Sequence, residues 1–283
     1  MTDDPLYGPR LKIKRAVSQI ETLRRADVDF RALAHYRVIV AELNTKRSKY
    51  ALRALINVLP PADLGLCIGE VAHQLRSALD GLVYQLAKDN GASEEALART
   101  GFPIFERWRI KGCNGRAGKR GNCRRSQPRH FSCGGVDMIK ALCDCHQAMI
   151  KRLQPYRAGN GGKRSPLYLL HELNNADKHR LLQSVGGKAM GYGAGGGWGD
   201  EPMPDYWVST RKVLEDGANV GSVSKVYVDK RQVRMEQEIF PSIAFWEGCE
   251  AVTGNGVCFT LSSIANEVSK IVESFGLEFG ERP

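Results

Sequence analysis

A helix-length segment from about Asp63 to Lys88 constrains the fold of this chain more than any other feature. At roughly 100° per residue its apolar residues form one continuous stripe: Leu64, Ile68, Val71, Leu75, Leu79, Leu82 and Leu86. Such a stripe must be buried against other elements, because seven large apolar side chains cannot be left in water. The segment is therefore predicted to be a core helix.

The opposite side of this helix gathers five polar residues within roughly 60° of one line. They are His73, Arg76, Ser77, Asp80 and Tyr84. A solvent-facing helix surface is usually filled with Glu and Lys, which are soluble, strong helix formers. A mixture of imidazole, guanidinium, hydroxyl, carboxylate and phenol is more typical of a functional site.

A second segment repeats this division of polar and apolar residues. It begins with the helix-starting pair Ser165-Pro166 and is predicted to run to about Val185. Its leucines lie toward one side, whereas five polar residues project within roughly 60° of another direction: His171, Glu172, Asn175, Lys178 and His179. We expect the two helices to pack side by side, so that four side chains converge: Arg76, Asp80, Asn175 and His179.

The remaining segments predict both helices and strands. Helical spacing is present over about 10–30, 136–153 and 259–275, and strand patterns over 36–40, 50–56, 206–209, 222–227, 233–239 and 243–246. These patterns predict an α+β protein, a helical bundle with an antiparallel sheet formed by the N-terminal hairpin and the C-terminal strands. We expect a single domain over 1–283, with a basic Gly/Arg/Cys loop at 106–135 and a Gly-rich loop at 186–204.

The net charge of +10 is concentrated in one stretch. Between Glu106 and His130 nine Lys or Arg residues stand against one acid, which gives +8, so the rest of the chain is close to neutral. A basic, glycine-rich stretch favours polyanions such as RNA, although a solvated loop without a partner is the alternative. With no run of about 18 apolar residues and no secretory signal at Met1–Pro5, we predict a cytoplasmic protein without a membrane span.

The eight cysteines are not arranged as a disulfide framework. Five of them lie in or just after the basic stretch: Cys113, Cys123, Cys133, Cys143 and Cys145. Together with His130 and His146 they could supply zinc ligands, but no C-x2-C knuckle is present. We therefore predict reduced thiols, no bound metal and no cofactor.

The two polar stripes suit chemistry on a phosphate ester. His179 or His73 would serve as the base, because histidine titrates near neutral pH, and Arg76 would stabilise developing charge. As a binding site, the cleft would hold RNA or a nucleotide, with Arg76 and Lys178 on phosphate and Asp80 and Asn175 orienting the ligand. The remaining ligand-binding candidates are Ser77, Tyr84 and His171.

A structural interpretation of the same residues stays open. Arg76 and Asp80 form an i, i+4 pair that any helix can carry, worth about 0.2–0.5 kcal/mol. Asn174 and Asn175 could bond to sheet or loop backbone, and His179 could be a half-buried residue with its hydrogen bonds satisfied. The chain would then be an interaction protein with no small ligand, and a homodimer is left open as its assembly.

Five phrases resemble an uncharacterised family of bacterial proteins: Asp4–Arg10, Leu75–Asp80, Phe102–Phe105, Leu153–Tyr156 and Leu173–Arg180. The resemblance covers most of the chain and implies no established activity. More distantly, an Arg within an Ala/Leu-rich helix is similar to the HEPN superfamily, whose ribonucleases have a His separated from the Arg by four to six intervening residues. After Arg76 those positions hold Gly81, Leu82 and Val83. The HEPN resemblance implies a metal-independent ribonuclease as the alternative function.

Overall fold

The structure is a computed structural model that describes residues 4–33, 36–44, 49–108, 130–179, 185–189, 213–224, 236–239 and 241–280. In this part of the chain the α-helices are α1 Tyr7–Leu33, α2 Leu64–Asp89, α3 Glu94–Leu97, α4 Val136–Ile139, α5 Asp144–Arg152, α6 Pro166–His179 and α7 Val257–Gly280. A π-helical turn, Phe131–Gly135, precedes α4, and a 3-10 helix, Pro155–Arg164, precedes α6. None of these helices combines the length and the apolar content needed to cross a membrane.

Six strands form two antiparallel sheets among the described residues. The strands are β1 Tyr36–Asn44, β2 Lys49–Leu55, β3 Val185–Ala189, β4 Asn219–Ser224, β5 Glu236–Ile239 and β6 Pro241–Phe245. One sheet has the order β4-β2-β1-β5, and the other pairs β3 with β6. In the hairpin, Val38 lies opposite Ala54. The predicted α+β class, in which later strands join an early hairpin, is confirmed.

The chain divides into two compact units. The first comprises Met1–Ile20, Cys67–Leu181 and Thr260–Pro283, and the second comprises Glu21–Leu66 and Leu182–Phe259. A single domain over 1–283 stays a prediction. All the candidate site residues lie in the first unit, which is described next.

The first unit is a helical bundle around the stripe of α2. Ile68, Leu75 and Leu79 of that stripe are fully buried, and so are Leu261, Ile264 and Val268 of α7. The antiparallel pairing of α1 with α2 places Pro9 beside Gly81 and lets the Gln19 amide donate to Glu70. Arg10 of α1 forms one ion pair with Asp4 and another with Glu273, which belongs to α7, each at 2.7 Å. These contacts confirm that the leucine side of α2 faces the core.

The second unit contains both sheets and is organised around two buried polar groups. The Asp27 carboxylate accepts the backbone N–H of Ile243 at 2.6 Å and also pairs with Arg31. Tyr36 is fully buried and donates its hydroxyl to the Val58 carbonyl at 2.9 Å. Burial raises the pKa of Tyr36 to about 12. Both residues thus tie strands to neighbouring segments.

Three local predictions from the sequence were wrong. The helix expected over 136–153 is interrupted between α4 and α5, where Cys143 caps a new helix. Residues 131–135, assigned to the basic loop, are helical. Val185–Ala189 is a strand instead of a helix end followed by a loop, because Gly186 and Gly187 leave room for Val213 and Tyr36.

Parts of other predictions lie outside the described residues. These are most of the basic stretch (109–129), most of the Gly-rich loop (190–204), the strand expected over 206–209 and the turn at 45–48. The side chains of Lys178 and His179 are also outside them, although their backbone completes α6.

Candidate functional site: the polar face of α2

The polar residues of α2 differ in exposure along the helix. His73 and Tyr84 are exposed, whereas Arg76, Ser77 and Asp80 are partly buried. The buried apolar stripe fixes the rotation of α2, which leaves His73 and Tyr84 exposed and places Arg76, Ser77 and Asp80 at the partly covered sides of the helix. We call this set, His73, Arg76, Ser77, Asp80 and Tyr84, the polar face of α2.

Arg76 and Asp80 form a clamp on the backbone of Phe102. The guanidinium donates to Asp80 through Nε at 3.2 Å and through Nη2 at 3.0 Å. Nη2 also donates to the Phe102 carbonyl at 2.6 Å, and Asp80 accepts the Phe102 N–H at 2.8 Å. Both backbone groups of one buried residue are thus satisfied by one ion pair. This clamp gives the phrases Leu75–Asp80 and Phe102–Phe105 a common structural role.

The clamp leaves one donor of Arg76 unused. Nη1 is buried and has no hydrogen-bond partner among the described residues. The side chain as a whole is 13% exposed, so bulk water has little access to it. A buried guanidinium N–H without an acceptor is costly, since each such donor loses its hydration. Nη1 is therefore a donor that the described residues leave unsatisfied.

Lys12 of α1 adds a cation that the sequence analysis missed. Its ammonium donates to Ser77 at Oγ (2.6 Å) and at the backbone carbonyl (3.4 Å). Both acceptors are neutral, and no carboxylate in the described part of the chain pairs with Lys12. A helical wheel would have placed Lys12 on the side of α1 that carries Ala16 and Gln19, which are buried. The position of Lys12 beside these buried residues was the sequence signal that could have assigned it to the site.

The polar residues of α6 form their own contacts. Asn175 donates through Nδ2 to Nε2 of His171 at 2.9 Å. No hydrogen bond joins Asn175 to Arg76 or Asp80, all three of which are described residues. Asn174 is only 4% exposed, and its Oδ1 has no partner among the described residues. The structure thus separates the hydrogen bonds of the two predicted stripes, and convergence with His179 stays a prediction.

Helices α2 and α6 do meet, at a point that the sequence did not indicate. The Asp177 carboxylate of α6 occupies the space that a side chain at Gly69 would fill. Gly69 lies seven residues before Arg76, so the two residues share one side of α2. The absence of a side chain at position 69 is what allows this close approach.

Glu172 belongs to a second cluster of titratable residues in the first unit, separate from the Arg76–Asp80 clamp. Burial, followed by the negative charge of Glu106, raises the pKa of Glu172, while Lys163 opposes the shift. Lys163 lies 3.5 Å from Glu106. Glu106 borders an aromatic cluster in which Trp108 stacks on Phe131 at 5.4 Å. The contacts of Glu172, Glu106 and Lys163 join parts of the fold to one another. Among the described residues, none of the three forms a hydrogen bond with the polar face of α2.

Comparisons with known proteins add no relatives. No family model, curated protein or solved structure matches the chain. The resemblances to the bacterial family and to HEPN proteins therefore stay expectations.

Proposed function

We propose that this protein binds a phosphate-bearing ligand, RNA or a nucleotide, on the polar face of α2. The observation behind it is the buried Nη1 donor of Arg76, which lacks an acceptor among the described residues. A phosphate oxygen that reached Nη1 after a small shift of the Arg76 side chain would form a charge-assisted hydrogen bond, stronger than a neutral one. The Asp80 carboxylate would hold the guanidinium in place, because it already fixes Nε and Nη2.

The local charge supports an anionic ligand. Asp80 neutralises Arg76, but among the described residues Lys12 is bonded only to neutral oxygens of Ser77. Among these three groups one positive charge is therefore in excess. A half-buried ammonium attracts an anion more strongly than a fully solvated one, since the effective dielectric constant is lower. Lys12 would contact phosphate in the role first assigned to Lys178.

The exposed residues of the same face favour a nucleic-acid strand over an isolated phosphate. His73 and Tyr84 are both exposed, and eleven residues of helix separate them by about 16 Å. Tyr84 offers an aromatic surface on which a base can stack. The basic stretch 106–130 would add long-range attraction for the same polyanion. We place this binding in the cytoplasm.

Equilibrium binding of labelled single-stranded RNA tests the proposal. We expect fluorescence anisotropy to show binding that weakens as salt is raised, because phosphate contacts release counterions. Lys12→Ala should weaken binding about fivefold, equivalent to about 1 kcal/mol. Lys14→Ala is the matched control, since Lys14 is exposed on another side of α1 and its removal changes the net charge equally.

Two results would overturn the proposal. One is the absence of salt-sensitive binding to RNA and to a nucleoside triphosphate alike. The other is equal loss of affinity in Lys12→Ala and Lys14→Ala, which would indicate a general charge effect without a site. Lys12→Ala is preferred to a change at Arg76, because Arg76 also supports the Phe102 backbone.

A further inference from the structure

Three potential metal ligands lie together at the start of α5. The sulfur atoms of Cys143 and Cys145 and a ring nitrogen of His146 are all within 4.8 Å of one another. In this structure the two sulfurs are joined as a disulfide, across a Cα–Cα distance of 5.5 Å. The prediction that all thiols are free was wrong for this pair. The four other described cysteines are not part of a disulfide: Cys67, Cys133, Cys249 and Cys258.

The surroundings of the three residues suit thiolate ligands. Cys143 is the N-cap of α5, and its sulfur accepts the backbone N–H of His146 at 3.4 Å. A helix N-terminus stabilises a thiolate through its exposed N–H groups and dipole. His146 is 3% exposed and its ring packs 5.7 Å from that of Phe275, so its orientation is fixed. Cys145 is exposed and gives an ion access from solvent.

We propose that the reduced form of Cys143 and Cys145, together with His146, binds a divalent ion of the Zn²⁺ class. Two thiolates and one imidazole are a ligand set that such ions prefer, and water would complete a tetrahedron. Ligand bonds of about 2.3 Å to sulfur and 2.0–2.1 Å to nitrogen fit a cluster of this size. The motif is Cys-x-Cys-His within one helical turn, which a search for C-x2-C knuckles overlooks.

Binding is coupled to the redox state of the pair. A dithiol reductant supplies two electrons and two protons, the S–S bond breaks, and two thiols form while the reductant becomes a disulfide. When the ion binds, both thiols lose their protons to solvent and two metal–sulfur bonds form. The oxidised pair has no thiolate to offer, so oxidation would release the ion. The cluster would thus act as a redox-controlled metal site.

Cobalt titration of the reduced full-length protein under anaerobic conditions tests this inference. Co²⁺ is the probe because tetrahedral thiolate coordination gives a charge-transfer band and visible d–d bands. We expect one equivalent of Co²⁺ to produce these bands and Zn²⁺ to abolish them by displacement. Cys145→Ser, at an exposed position, should remove the bands without affecting the fold.

The controls distinguish this cluster from the other thiols. Cys258→Ser and the double change Cys113→Ser/Cys123→Ser should retain the full signal, and the disulfide form should give none. Circular dichroism would verify that each variant is folded. The inference is overturned if reduced wild-type protein shows no thiolate–cobalt band, or if Cys145→Ser retains it.

Discussion

Arg76 links the structure of the first unit to its proposed chemistry. Three of its hydrogen bonds go to Asp80 and to the Phe102 carbonyl, and its remaining terminal nitrogen has no acceptor in the part of the chain that the structure describes. One edge of the Arg76 guanidinium thus holds the Phe102 backbone in place, and the other edge offers a hydrogen-bond donor. The i, i+4 pair with Asp80 alone would contribute only a few tenths of a kcal/mol. Because of its contact with Phe102, Arg76 contributes more to the stability of the fold than the ion pair with Asp80 alone would.

Replacing this residue should therefore destabilise the protein measurably. We expect Arg76→Ala to lower the free energy of unfolding by about 1–3 kcal/mol, because the buried Phe102 carbonyl loses its donor. Urea denaturation followed by circular dichroism measures the change. Arg99→Ala is the matched control, since Arg99 makes an i, i+4 pair with Glu95 that is 63% and 80% exposed. Its effect should stay below about 0.5 kcal/mol, and equal effects would contradict the clamp.

Glu172 predicts a specific dependence of stability on pH. Its folded-state pKa is raised above the usual 4.5 by burial and then by the charge of Glu106. The folded state therefore binds more protons than the unfolded state just above pH 4.5, so this residue lowers the unfolding free energy as pH rises through that window.

The neutral variant Glu172→Gln removes this contribution. Its unfolding free energy, relative to wild type, should rise between pH 4.5 and neutrality when urea denaturation is repeated across that range. Glu250→Gln, at an exposed position in the other unit, should show no such trend. If the difference in unfolding free energy between Glu172→Gln and wild type stays constant with pH, the raised pKa of Glu172 is ruled out.

At the scale of elements, periodicity identified the long helices and the hairpin. Helix α2 was predicted from Asp63 to Lys88 and extends over Leu64–Asp89, because its apolar stripe is long and regular. Strand β3 was missed, since a glycine pair carries no alternating pattern. The break between α4 and α5 was also missed, as cysteine is an uncommon N-cap. The close packing of Gly186 and Gly187 against Val213 and Tyr36, distant in sequence, decided β3, and an unusual local cap decided the start of α5.

Strand β3 provides a test of close packing. A Cβ at Gly187 would lie 2.7 Å from Cζ of the fully buried Tyr36 ring. We expect Gly187→Ala to lower the free energy of unfolding by about 1–3 kcal/mol through overpacking. Gly256→Ala, where a Cβ would meet nothing within 4 Å, is the control and should change stability little. Equal denaturation midpoints for the two variants would contradict the described contact.

At the scale of the whole chain, the sequence located the polar face but not its full composition. Arg76, Asp80 and Tyr84 were identified because their types are unusual on one helical line. Lys12 could not be assigned from α2 alone, since it reaches Ser77 from a helix 65 residues away in sequence. The clamp on Phe102 was likewise beyond local patterns. The charge of 106–130 is visible only in sequence, because 109–129 lie outside the described residues.

Photocrosslinking tests the central claim most directly, because it reports where RNA touches the chain. Single-stranded RNA containing 4-thiouridine would be bound to wild-type protein, irradiated, and the modified peptides identified by mass spectrometry. The account predicts crosslinks within α2, at Tyr84 or His73, that decrease in Lys12→Ala and persist in Lys14→Ala. Crosslinks confined to residues 107–129, with none on α2, would contradict it.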